Sequence, residues 1–129
     1  MIDDFHLSND LTTCAAFFQD KISCNTNHTL SIYKGHHSVS CQKNKHNILL
    51  IHQLYNSSTV YLINPKHNED IKNKSNLEIK KWSYKLTLQS GQIICIPPEW
   101  LYFYETTNES ILATTTSDNY FTCLFNHLR

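Results

Sequence analysis

From Thr29 to Thr116 the chain is a succession of short apolar or alternating runs separated by Asn, Ser, Gly and Pro. Runs of this length with alternating character suit strands, since a helix with one buried face needs a longer periodic stretch. The texture therefore predicts a layered β architecture, a sandwich or barrel. The predicted strands are Thr29 to Tyr33, His46 to Tyr55, Thr59 to Ile63, Trp82 to Leu88, Gln92 to Ile96, Trp100 to Glu105 and Ser110 to Thr116. Only two glycines, Gly35 and Gly91, serve the intervening turns, so Asn must occupy left-handed positions, which its short polar side chain tolerates.

Helical spacing is confined to the flanks. Leu11, Ala15 and Phe18 share one face of a predicted helix from Leu11 to Lys21, with Asp10 or Thr12 as its cap. In the terminal stretch Asp118 to Arg129, the residues Phe121, Leu124, Phe125 and Leu128 form one stripe, read as a core contact or as a partner face. The lysine-rich stretch Pro65 to Lys81 reads as a solvated insertion, because Glu69, Asp70 and Glu78 interrupt its positive charge and it lacks aromatics that would stack bases.

A length of 129 residues is that of one domain, and 40% apolar residues with seven Tyr, six Phe and two Trp suffice for a core. Eleven basic residues balance eleven acidic ones. No general positive field exists to attract nucleic acid, and no apolar run approaches the roughly 20 residues that cross a bilayer. The acidic start Met-Ile-Asp-Asp does not resemble a secretory signal, so a cytoplasmic protein is expected. Five scattered cysteines without a C-x-x-C pair predict mostly buried thiols rather than a disulfide framework or zinc knuckle.

Two stretches carry a family resemblance. Gln89-Ser-Gly-Gln-Ile-Ile-Cys-Ile-Pro-Pro-Glu-Trp-Leu-Tyr102 combines a Gly turn, a strand, a Pro-Pro corner and a Trp that opens the next strand. It resembles the G-D-x-x-x-I-P-x-x-W-x-H segment of the cupin-like Jumonji C family. Gln53-Leu-Tyr-Asn-Ser-Ser58, with Leu62 and Pro65, is similar to that family's Q-L-x-G-x-K-x-x-x-L-x-x-P, with Asn56 replacing the turn Gly and Ser58 the Lys. Gly35 and Asn47 are weaker anchors. The resemblance covers residues 30 to 116 and implies a single mainly β domain, a cupin-like double-stranded β-helix or jelly roll, with one short helix before it and another after it.

Enzymatic members of the family hold Fe(II) by a His-x-Asp and a distal His, and pair 2-oxoglutarate with the Lys. Here the distal His position is Tyr102, the His-x-Asp falls on Cys41-Gln42-Lys43 or Lys43-Asn44-Lys45, and the Lys is Ser58. What the resemblance implies is therefore the fold without the oxygenase chemistry, and no cofactor. The shortened, ligand-less domain is also similar to cupin-like proteins of large DNA viruses, which would place it in a host cytoplasm.

The expected function is a non-enzymatic binding or structural module working through protein contacts, with a homodimer as one solution. The alternative is a metal-binding protein or enzyme using His36, His37, His46, His52 and Cys41. Adjacent residues of a strand point to opposite faces, which weighs against His36 and His37 sharing one ion. Trp100, Tyr102 and Tyr104 share one strand face and Leu101 and Phe103 the other. The first trio either fills the interior as core or lines a small-ligand pocket.

Overall fold

The computed structural model describes residues 23–128. Nine strands make two antiparallel sheets. The first contains β1 (Ser23–Tyr33), β9 (Ser110–Asn119), β4 (Ile48–Tyr55) and β7 (Ile93–Cys95), in that order. The second runs from β2 (His37–Ser38) through β8 (Leu101–Thr106) and β5 (Ser58–Ile63) to β6 (Tyr84–Leu88), and β3 (Gln42–Lys43) also pairs with β8. The predicted mainly β class and all seven predicted strands are present. The predicted helix from Leu11 to Lys21 lies outside the described residues.

The core follows from period-two alternation. Leu49, Ile51 and Leu112 of the first sheet meet Val60, Leu62, Leu88, Tyr102 and Tyr104 of the second, with Ile96 from the corner between β7 and β8. Each fully buried side chain of this size contributes about 1.5–3 kcal/mol relative to exposure. A second cluster lies on the outer face of the second sheet, where Tyr61, Ile63 and Phe103 are covered by Ile71 and Ile79. This corrects the reading of Pro65 to Lys81 as a solvated insertion. Strand β5 is apolar on both faces, and its outer side must be covered.

Within that segment Pro65–His67 and Lys80–Trp82 form 3-10 turns around a one-turn helix, Asn76–Ile79. The Glu78 carboxylate accepts from the Ser75 N–H at 3.0 Å and its hydroxyl at 3.1 Å. The backbone bond leads in holding the Glu78 carboxyl below its ordinary range.

Several boundaries differ from expectation. Strand β1 begins at Ser23 rather than Thr29, because its polar half pairs with the threonines of β9, Asn27 opposite Thr116 and Thr29 opposite Thr114. Strand β9 runs to Asn119, so the terminal helix is Tyr120–Leu128 and Asp118 belongs to the strand. The 3-10 turn at Lys80–Trp82 delays β6 to Tyr84. Asparagine does serve left-handed turns, at Asn56 (φ 58°) and Asn73 (φ 62°). The cysteine expectation is also corrected. Cys41 is half-buried, Cys95 is exposed on the outer face of edge strand β7, and Cys123 is disulfide-bonded.

Candidate functional site

Strand β8 places the aromatic trio singled out in the sequence. Tyr102 and Tyr104 turn into the space between the sheets, each 8% exposed, while Phe103 points outward into the second cluster at 0%. Trp100 packs against the inner cluster but is only half-buried. The Tyr104 hydroxyl lies 2.6 Å from that of Tyr33, with the rings edge to face at 5.8 Å. His37 stacks on the Tyr33 ring at 4.7 Å.

Burial, followed by the hydrogen bond shared with Tyr33, pushes the Tyr104 phenol far above its ordinary value. Burial also raises the pKa of the Tyr102 phenol. Both phenols stay protonated at physiological pH, so they are neutral hydrogen-bonding groups rather than bases. Tyr102 and Tyr104 therefore pack as interior, and Trp100 sits at its border. There Tyr84 (60% exposed) and Leu86 (42%) of edge strand β6 project from the inner face, with the Tyr84 ring 6.3 Å from Trp100.

Two buried polar side chains at and beside the positions compared with the family's motifs, Ser58 and Asn44, are held by the chain itself. Asn44 is 1% exposed, and its Nδ2 donates to the carbonyls of Ile96 at 2.9 Å and Pro97 at 3.1 Å. Its Oδ1 accepts from the His46 N–H at 2.9 Å. Its backbone N–H donates to Trp100 O at 2.8 Å, and its carbonyl accepts from the Glu99 N–H at 2.9 Å. Asn44 is thus a latch that ties the β3–β4 connection to the Pro97-Pro98 corner. At the position of the family's Lys, the Ser58 hydroxyl donates to Gln53 Oε1 at 2.6 Å. Gln53, 0% exposed, gives its Nε2 to Ser110 Oγ at 2.6 Å and Tyr55 O at 2.7 Å.

The histidines are dispersed. His36 and His37 are exposed beside β8, His46 binds Asp118 through Nδ1 at 2.8 Å, and His52 lies on the outer face of β4 opposite Ala113 and Ile93. Among the described residues no group of three or more His, Cys, Asp or Glu is placed to hold a metal ion. The cluster that His36, His37, His46 and His52 would have to make is not assembled. Cys41 packs beside Leu101 in the outer cluster, and burial raises its thiol pKa, the opposite of what a nucleophile needs. Glu99 pairs with Lys43, and Glu105 receives Lys80 Nζ at 2.8 Å on one oxygen and 3.0 Å on the other.

Asp118 at the end of β9 and Asn126 of the helix both hold the Lys45–Asn47 loop. The buried Asp118 carboxylate accepts from the Asn47 N–H at 3.0 Å as well as from His46, and Asn126 donates to Lys45 O at 2.7 Å. Asp118→Ala is expected to cost about 2 kcal/mol by stranding the Asn47 N–H, read as a lower urea midpoint at unchanged slope. On the stripe singled out in the sequence, Leu124 is 58% and Leu128 75% exposed. The side chains of Phe121 and Phe125 lie outside the described set. Asn44, Tyr33, Tyr84 and Leu86 were not singled out by sequence. Tyr33, Tyr84 and Leu86 left a signal, as alternating apolar residues on predicted strands, and Asn44 left none.

A two-sheet antiparallel jelly roll with tyrosines closing its interior is a cupin-type fold, and solved structures agree. CENP-C of Drosophila melanogaster bound to CAL1 is similar over 70% of this chain and 60% of its own, with a TM-score of 0.51 and 11% identity. The cupin domain of Schizosaccharomyces pombe Cnp3 is similar over 87% and 62%, at 0.55 and 13%. Hydroquinone 1,2-dioxygenase from Sphingomonas sp. TTNP3 is similar over 82% and 71%, at 0.55 and 8%. The chain spans about three fifths of the CENP-C and Cnp3 chains. No family model matches the sequence, and no curated protein does. Among the described residues no helix is long and apolar enough to cross a membrane.

Proposed function

We propose that the chain is a non-enzymatic cupin-fold module that acts by binding protein, with the terminal helix as its contact. The observation that carries this reading is the pair Leu124 and Leu128, two large apolar side chains in solvent one helical turn apart. The interior supports it, because Ser58, at the position of the family's Lys, and the buried Asn44, which lies between the two positions of one His-x-Asp register, are consumed by hydrogen bonds within the chain. CENP-C, similar in fold, is described bound to a protein.

Two measurements test the reading. Affinity capture with the full chain should retain a protein that Leu124→Asp/Leu128→Asp loses at an unchanged melting temperature; equal retention by both would reject the helix as the contact. Addition of 2-oxoglutarate with Mn(II) should leave the melting temperature unmoved. A ligand at 100 times its Kd adds about 2.7 kcal/mol, so a saturable rise would overturn the non-enzymatic reading.

A further inference from the structure

A sheet border exposes a row of unpaired N–H and C=O groups, and proteins blunt such borders with short strands, lysine, proline or bulges. Three borders here obey that rule. Strands β2 and β3 have two residues each, β7 has three, and β6 has five including Lys85. Strand β1 does not. It is eleven residues long, Ser-Cys-Asn-Thr-Asn-His-Thr-Leu-Ser-Ile-Tyr, with no Lys, Arg, Asp, Glu or Pro. Among the described strands it pairs with β9 alone, and its register is uninterrupted from Asn25 to Tyr33.

The open part of this border is also apolar. Leu30 is 36% and Ile32 57% exposed, and both project from the outer face, opposite in direction to the inward Ser31 and Tyr33. Asn27, His28 and Thr29 are exposed as well.

We propose that two copies of the chain join β1 to β1, antiparallel about a two-fold axis at Leu30, so that two four-stranded sheets become one of eight strands. Such a pairing runs from Asn27 to Tyr33 on each copy. It sets the two Leu30 side chains directly opposite, with each Ile32 on the diagonal, which is the geometry in which apolar cross-strand pairs stabilise a sheet. The partner is a second copy because the strand is its own complement. It carries no formal charge to repel itself, and its exposed apolar pair is buried by an identical pair. The inference rests on the reading of the chain as a protein-contact module and supplies one of its partners.

The test is the solution mass of the full chain by light scattering from about 1 to 100 µM. A mass twice 15.1 kDa is expected. Leu30→Lys should weaken the dimer at least about tenfold by opposing two ammonium groups, while its circular dichroism melt shows that it still folds. Mixing Leu30→Lys with Leu30→Glu should restore a dimer that neither forms alone. A 15.1 kDa mass at every concentration, a dimer indifferent to Leu30→Lys, or a mixture that stays monomeric would each overturn the proposal. The dimer should survive Leu124→Asp/Leu128→Asp, so its failure and that of the helix contact are read separately.

Discussion

Phe103→Ala should lower the unfolding free energy by about 3–5 kcal/mol, out of the roughly 5–15 kcal/mol that a domain of this size possesses. Phe103 is 0% exposed, and its ring lies parallel to that of Tyr61 at 4.6 Å and 10°. On one side it faces the sheet; on the other it meets Ile71 and Ile79 of the covering segment. Truncation therefore leaves a cavity that only that segment could close. Because Ile71 packs on the sheet through this cluster, while the Lys80–Glu105 and Asn76–Val39 contacts hold the end of the segment, the variant should also loosen its middle, seen as accelerated amide exchange around Ile71 before global unfolding. Leu86→Ala is the control. Leu86 is 42% exposed on edge strand β6, and its loss should cost about 1 kcal/mol or less. Equal urea midpoints for the two variants would show that the outer cluster contributes no stability.

The contrast between Phe103 and Tyr104 was legible in the sequence because alternation in Leu101 to Glu105 is unbroken and both faces of the strand are apolar. What escaped has physical reasons. Strands β2 and β3 are too short for any period, and each exists only because β8 offers it a partner. The first half of β1 is polar on both faces, so its pairing with the threonines of β9 left no apolar rhythm. Ile71 and Ile79 lie in a lysine-rich stretch, and only the outer face of β5 and β8 makes them core. Among the described residues the histidines do not assemble, for the converse reason. His36, His37, His46 and His52 are close in sequence but occupy a turn, a two-residue strand, a loop and the outer face of β4. The exposed pair Leu124 and Leu128 was legible as a stripe, although whether it met core or solvent was not.

Asn44 is the residue that sequence reasoning had least means of finding, since its side-chain bonds reach partners 52 and 53 positions away. Asn44→Ala should cost about 3 kcal/mol, because it takes the side-chain partner from the Ile96 carbonyl and the His46 N–H and leaves the Pro97 carbonyl only the 3.4 Å bond from the Trp100 N–H, in a site with 1% exposure. Size alone does not explain such a loss, and Asn44→Asp separates the causes. That substitution keeps the shape and the bond from His46, but at neutral pH it aims a carboxylate at two carbonyl oxygens. Burial and these oxygens favour the protonated acid, so the carboxyl introduced has a folded pKa above its unfolded value of about 3.9. For an acid shifted in that direction, the unfolded state is the more readily ionised one. The penalty relative to the native chain should therefore be smallest below about pH 4, where the proton lets one oxygen donate to a carbonyl. It should grow as pH rises through the interval between the two pKa values, then level off. Urea unfolding of both proteins from about pH 4 to 7 measures this difference. A penalty for Asn44→Asp that is flat across that range would mean that the amide donates to nothing of consequence, and that the Pro97-Pro98 corner is held by its backbone bonds alone.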